Sequence, residues 1–174
     1  MSATMNAGIK AWVILLACGM TTATTGAGCK RKTEYSGIGR WSVTQTKLAD
    51  ARVKGRCQPT DLPDGRKGVW CFGFPGVKIP GAGLPPEVDI YFGSDNDSAT
   101  PIEIQYKIRG CNDEKLEAWV NTNFGAAAEQ RPGRGVWKTG NMTLLGFLPE
   151  SPGSCLLRMF PLSETTEIER IKTL

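Results

Sequence analysis

Residues 101–110, PIEIQYKIRG, alternate without a break: Ile102, Ile104, Tyr106 and Ile108 share one face, and Glu103, Gln105 and Lys107 share the other. A strict period of two marks a β-strand with one face in a core and one in water. Strands of that kind belong to antiparallel sheets. EVDIYFG, residues 87–93, repeats the pattern with Val88, Ile90 and Phe92 on one face. GSDNDSATP between the two runs reads as a turn, and NMTLLGFL and SCLLRMFPL read as two further strands. This much β-structure restricts the chain to a sheet with at least one solvated face.

Helices must then cover the other face. The clearest is CNDEKLEAWVNTNFG, where Leu116, Trp119, Val120 and Phe124 recur at helical spacing. Asn112 or Asp113 serves as its cap and Gly125 ends it. SETTEIERIKTL at the far end reads as a closing helix, with Ser163 as cap and Ile168, Ile171 and Leu174 on one side. A weaker helix falls in TQTKLADARVK. The sequence also repeats itself: Lys47-Leu48 matches Lys115-Leu116, and Gly68-Val69-Trp70 matches Gly135-Val136-Trp137 at nearly the same separation. The expected fold is α+β. Two tandem helix-loop-three-strand units, about 38–110 and 111–161, form a mainly antiparallel sheet with helices on one face, followed by the helix 163–174.

That doubled unit resembles, in element order over residues 38–161, the beta-lactamase-inhibitor-like fold, which is also used by the small lipoprotein of the outer-membrane protein assembly machine. The resemblance implies a binding or scaffolding module. No family motif matches residue by residue, so it assigns no binding residues.

The N-terminus has the layout of an export signal: one charge at Lys10, the apolar run AWVILLACGM, then small residues. The run is too short to cross a bilayer, which takes about 20 residues. Leu15-Leu16-Ala17-Cys18 resembles a bacterial lipobox. The resemblance implies that Cys18 receives a diacylglyceryl group and becomes the mature N-terminus. GAGC before Cys29 is a poorer match, with Gly26 where the family prefers Leu. Cysteine parity favours Cys29 instead. Of the six cysteines, lipidation at Cys29 leaves Cys57, Cys71, Cys111 and Cys155 to pair completely, whereas lipidation at Cys18 leaves Cys29 over. The motif weighs slightly more, because a signal peptidase reads it before any pairing. The signal is therefore 1–17, or 1–28 in the alternative, and residues 18–34 form a flexible tether. A single domain follows over 35–174. In an oxidising compartment the expected bridges are Cys57 with Cys71 and Cys111 with Cys155.

Other classes of function find little support. The chain has no histidine, which removes Ser-His-Asp and Cys-His catalysis and the usual His-containing zinc sites. The net charge is +4, with Lys and Arg interleaved with acids as in KLADARVKGR, and there is no basic stripe for nucleic acid. Asp95 and Asp97 lack the further ligands and the glycine of a calcium loop. No metal or cofactor is expected.

The stretch GFPGVKIPGAGLPPE, residues 73–87, has no regular structure and is an insertion relative to the second copy. Its Val77, Ile79 and Leu84, together with Trp70 and Trp137, are the candidate partner-binding residues. The expected protein is a non-catalytic periplasmic lipoprotein, held to the outer membrane by its N-terminal lipid, that binds a protein partner. A secreted enzyme inhibitor or ligand-binding protein is the alternative. An enzyme acting through Asp95, Asp97 or Glu103 is a third reading.

Overall fold

Residues 35–173 are described by the computed structural model. The export signal, the tether, Leu174 and both lipidation candidates, Cys18 and Cys29, lie outside the described residues. A small hairpin comes first, β1 (Gly37–Ile38) and β2 (Trp41–Ser42), then α1 (Leu48–Lys54). Four strands follow: β3 (Arg56–Asp61), β4 (Lys67–Pro75), β5 (Glu87–Phe92) and β6 (Pro101–Arg109). After α2 (Asp113–Phe124) come β7 (Glu129–Arg131), β8 (Arg134–Lys138), β9 (Met142–Ser151) and β10 (Ser154–Pro161), and then α3 (Thr165–Lys172).

β3 to β10 form one eight-stranded sheet in the order β3-β4-β5-β6-β10-β9-β8-β7, with every neighbouring pair antiparallel. The protein is thus a mixed helix-and-sheet fold, as its alternation predicts. Four strands, not three, follow each of the first two helices. β3 and β7 occupy segments read as loop. β3 contains Pro59, which an edge strand tolerates because its N–H is not needed on the free side. β7 is only three residues long.

The strands sort their side chains cleanly. Val88, Ile90 and Phe92 of β5, Ile104, Tyr106 and Ile108 of β6, and Cys155, Leu157 and Met159 of β10 point into one core with Leu48 and Ala51 of α1 and Leu116, Val120 and Phe124 of α2. The intervening residues of β8, β9 and β10 point the other way. There Val136, Leu145 and Phe160 meet Ile168 and Ile171 of α3. The expectation of helices on one face is therefore corrected: α1 and α2 cover one face, and α3 covers part of the opposite one. α3 also begins later than expected. Glu164, not Ser163, stands at its N-cap, and its side chain makes no capping bond. At α2 the expected cap holds, with the Lys115 N–H donating to Asn112 Oδ1 at 2.9 Å.

The two Gly-Val-Trp copies sit in β4 and β8, each second from an edge, yet they face opposite ways. In β4, Val69 and Cys71 turn into the core and Trp70 turns out. In β8, Trp137 turns in and Val136 turns out. A shift of one residue exchanges the two faces of a strand. Two glycines create the room for Trp137: Gly135 and Gly146 are register partners on adjacent strands, and the indole lies over both. Trp70 has no such glycine pair beside it; its cross-strand partner is Tyr91.

The stretch 73–87 is not irregular throughout, because Gly73–Pro75 extend β4 and Glu87 opens β5, and the connection between them is packed, not free. Its Ile79 is 1% exposed and belongs to the core. Gly76 N–H donates to Pro86 O at 2.7 Å, and Asn112 N–H donates to Gly81 O at 2.7 Å, tying the loop to the start of α2. Gly81 has φ of 88°, and a Cβ there would stand 2.6 Å from Leu116 N, so only glycine fits.

A methyl group at Gly135 would stand 2.2 Å from the Trp137 ring. Gly135→Ala is therefore expected to destabilise the protein by about 1–3 kcal/mol, the usual cost of overpacking. Urea unfolding followed by tryptophan fluorescence checks this; an unchanged midpoint would show that the indole is not seated on Gly135.

Candidate functional site

The candidate site is the face of the sheet that α3 leaves uncovered. β4 contributes Trp70 and Phe72, β5 contributes Asp89 and Tyr91, β6 contributes Glu103, Gln105 and Lys107, and β10 contributes Arg158. Period-two alternation places all of them opposite the helix-covered core. Trp70 lies 4.4 Å from Phe72 and 6.2 Å from Tyr91, centroid to centroid, and is nearly parallel to the tyrosine ring. All three rings are half-exposed.

Polar groups organise the floor beside them. The Trp70 Nε1–H donates to Asp89 Oδ2 at 3.1 Å, and Lys107 Nζ donates to the same oxygen at 2.7 Å. The Asp89 carboxylate is buried, and its Oδ1 has no hydrogen-bond partner among the described residues. A carboxylate withdrawn from water needs its countercharge, so Lys107 fixes both the charge balance and the indole's position. One strand over, Glu103 accepts from Gln105 Nε2 at 2.8 Å and from Arg158 Nε. Arg158 also approaches Glu167 of α3, which is bridged to Arg170 at 2.6 Å. This chain of charges docks α3 to the sheet.

Between the β3–β4 turn and α3 the face deepens into a cleft of about 200 Å³, lined among others by Leu62, Arg66, Tyr91, Glu103, Arg158 and Glu164. Arg66 bridges its mouth to Glu164 at 2.8 Å. Hydrogen bonding to Glu164 is the main reason that the Arg66 guanidinium is held above its ordinary pKa. The Tyr91 hydroxyl is pushed up to about 12, first by burial and then by the neighbouring charges of Glu103 and Asp89.

The candidate residues of the sequence scatter over this structure. Trp70 lies on the open face. Trp137 is 1% exposed on the opposite side, with its Nε1–H donating to Asn121 Oδ1 at 2.8 Å, so it packs the core and presents nothing to a partner. Ile79 is likewise a core residue, while Val77 and Leu84 are exposed on the connection. Asp95 and Asp97 both pair with Arg52 of α1, away from Glu103, so the three acids do not converge. The bridges form as expected, Cys57 to Cys71 and Cys111 to Cys155. Phe72, Asp89, Tyr91, Lys107 and Arg158 were not among the candidates. The signal for Asp89 and Tyr91 was in EVDIYFG, in the residues between the three apolar ones.

Against protein-family models, curated proteins and solved structures, the chain finds no match. Among the described residues no helix is long and apolar enough to cross a membrane.

The first bridge ties edge strand β3 to β4 directly under Trp70 and Phe72, and the second ties the start of α2 to the central strand β10. The residues they join are 14 and 44 apart in sequence. Loop-closure entropy then gives losses of about 3 and about 4 kcal/mol for the Cys57→Ala/Cys71→Ala and Cys111→Ala/Cys155→Ala proteins. Equilibrium unfolding in urea measures both; a smaller loss from the longer loop would contradict the entropic account.

The raised Tyr91 hydroxyl has a consequence in alkali. The folded form holds its proton to higher pH than the unfolded form, so this contribution to stability is complete below pH about 10 and is lost as pH rises towards 12. Tyr91→Phe should flatten the alkaline fall in stability and remove one late phenolate step from an ultraviolet titration. An unaltered titration would place the slow phenol elsewhere, Tyr106 being the other raised group.

Proposed function

We propose that this chain is a non-catalytic lipoprotein on the periplasmic side of the outer membrane, anchored through Cys18 or Cys29, whose domain binds a protein partner through the open face of its sheet. One observation carries the binding reading: Trp70, Phe72 and Tyr91 lie side by side, half-exposed, on a face otherwise tiled with ion pairs. Aromatic rings at the centre of a patch with a polar rim are the usual composition of an interface hot spot. Lys107 and Asp89 hold Trp70 in place before any partner arrives, which lowers the ordering cost of binding.

The anchoring reading is supported by the sequence around LLAC and by the pairing of the four downstream cysteines, which leaves Cys18 and Cys29 without a structural duty in the domain. The tandem-unit reading of the fold, and with it the likeness to the beta-lactamase-inhibitor-like architecture, is supported by the strand order, which reads as the same four-strand run from either edge to the β6–β10 seam.

Mass spectrometry of protein extracted from membranes tests the anchor. The expected mature N-terminus is an acylated Cys18 or Cys29; a cleaved terminus without lipid at either would leave the secreted inhibitor or ligand-binding protein as the better reading. Photo-crosslinking tests the face. A photoreactive residue at position 72 or 91 should give a discrete protein adduct in intact cells, and one at the exposed helical position 122 should not. Equal adducts at all three positions would remove the open face as the binding surface.

A further inference from the structure

A second surface lies around the turn of the N-terminal hairpin. The β1–β2 turn presents Arg40, whose guanidinium lies 4.9 Å from the Trp41 ring centre. The Lys54 ammonium, from the end of α1, lies 5.7 Å from the same ring centre. Trp41 itself is 2% exposed, so the two cations form the outer layer over it. Val77 packs against Gly39 of the same turn, close enough that a Cβ on Gly39 would stand 2.6 Å from Val77 Cγ1, and Lys78 follows it. Val77 is 46% exposed, and Val53, next to Lys54, is 86% exposed, the most exposed large hydrophobic residue among those described.

Two features mark this patch. Arg40, Lys54 and Lys78 form no ion pair among the described residues, a property they share with Arg131, Arg134 and Lys138 of β7 and β8 but not with Arg66, Lys107 or Arg158. Arg52, on the same helix, is neutralised by Asp95 and Asp97. The free cations are interleaved with exposed valines, the composition that gains from headgroup phosphates and the apolar boundary beneath them at once. The described chain begins at the other end of the hairpin, where Tyr35 packs on Phe124 of α2 and its carbonyl accepts from Thr139 Oγ1 at 3.0 Å. Counting from Tyr35, Cys29 lies six residues upstream and Cys18 seventeen, spans of at most about 20 Å and about 60 Å when fully extended.

We propose that Arg40, Lys54 and Lys78, with Val53 and Val77, form a docking surface for an anionic lipid membrane. The inference rests on the anchored reading for its proximity to a bilayer, but its charge and apolar content are independent of it. The tether limits how far the domain strays, and the patch sets which end meets the lipid. The open sheet face bearing Trp70 and Tyr91 is a separate surface, built from other elements.

The test uses the chain from residue 30 onward, so that neither the apolar run of the signal nor an acyl chain contributes. Its binding is compared on vesicles of equal parts phosphatidylglycerol and phosphatidylcholine and on vesicles of phosphatidylcholine alone. Arg40→Gln/Lys54→Gln/Lys78→Gln should weaken binding to the anionic vesicles tenfold or more, with little change on the neutral ones. Arg131→Gln/Arg134→Gln/Lys138→Gln removes the same charge from β7 and β8 and should leave binding within about twofold of the parent chain. Circular dichroism checks that each variant folds; if the triple variant does not, Lys78→Glu alone, on an exposed loop, should lower anionic binding at least threefold. Equal losses in both triple variants would reduce the effect to net charge, and no loss in the first would remove the patch; either overturns the proposal. If mass spectrometry finds no lipid anchor while vesicle binding still depends on the patch, the anchored reading fails and the docking surface stands.

Discussion

The pairing of β6 with β10 is the seam on which the rest of the sheet depends. Among the described residues it is the only strand pairing that joins the run β3–β6 to the run β7–β10. Inward from the seam, Ile104, Tyr106 and Ile108 meet Cys155, Leu157 and Met159, all fully buried. Outward, Glu103, Gln105 and Lys107 lie beside Arg158. A slip of one residue would carry three charges or amides into the core and the isoleucines into water. The seam is thus specified from both faces. The Tyr106 hydroxyl extends it by donating to Ile38 O at 2.9 Å inside the core, which anchors the N-terminal hairpin to the middle of the sheet.

From this seam follows an asymmetry that leaves one part of the sheet exposed. α1 and α2 share the covered face. α3, arriving directly from β10, folds back over β8, β9 and β10, fastened by Phe160 beneath, by the Arg158–Glu167 contact at its edge and by Lys172, which bridges to Glu129 of β7 at 2.7 Å. With eight residues it does not extend across the sheet to β4 and β5. The outward residues of those strands therefore had to tolerate water or meet something else. Polar residues alone would satisfy water. Trp70, Phe72 and Tyr91 in their place expose aromatic surface, while Asp89 and Lys107 hold the tryptophan at a fixed point. Only the Asp89 side of this pair is buried, Lys107 being 43% exposed, and a buried carboxylate costs desolvation, so the arrangement is better understood as positioning than as reinforcement.

Much of this was legible in the residues, for identifiable reasons. β5 and β6 announced themselves because one wet and one dry face impose period two, and α2 because its stripe and caps agree. The disulfide pairing was legible because Cys57 and Cys71 bracket a turn-rich segment that brings them opposite one another. β3 was hidden by Pro59, which argues against a strand anywhere but at an edge, and β7 by its length. The third helix was foreseen, but its side of the sheet was not, since that depends on which of Leu144 and Leu145 faces α2. The matched tryptophans misled most: equal spacing suggested equal environments, and the glycine pair at 135 and 146, which decides the matter, joins residues from different strands. Ile79 looked like a loop residue because the backbone contacts that bury it come from Gly110 and Asn112, far along the chain.

The disulfides bear on the two N-terminal cysteines although neither is among the described residues. Parity favoured Cys29 because four thiols had to find partners. With Cys57 joined to Cys71 and Cys111 to Cys155, the domain makes no demand on either remaining cysteine. Under the proposed anchoring, a lipid on Cys18 would leave Cys29 as a lone thiol, open to oxidation or to pairing between chains. A lipid on Cys29 would instead leave a span of six residues before Tyr35, at most about 20 Å. A short tether would hold the whole domain near the bilayer whichever end faced it, whereas on a long one only the domain's own affinity for lipid, as proposed for Arg40 and Lys54, would keep that end there. A surface that binds lipid unaided is therefore worth most to the protein when Cys18 is the anchor.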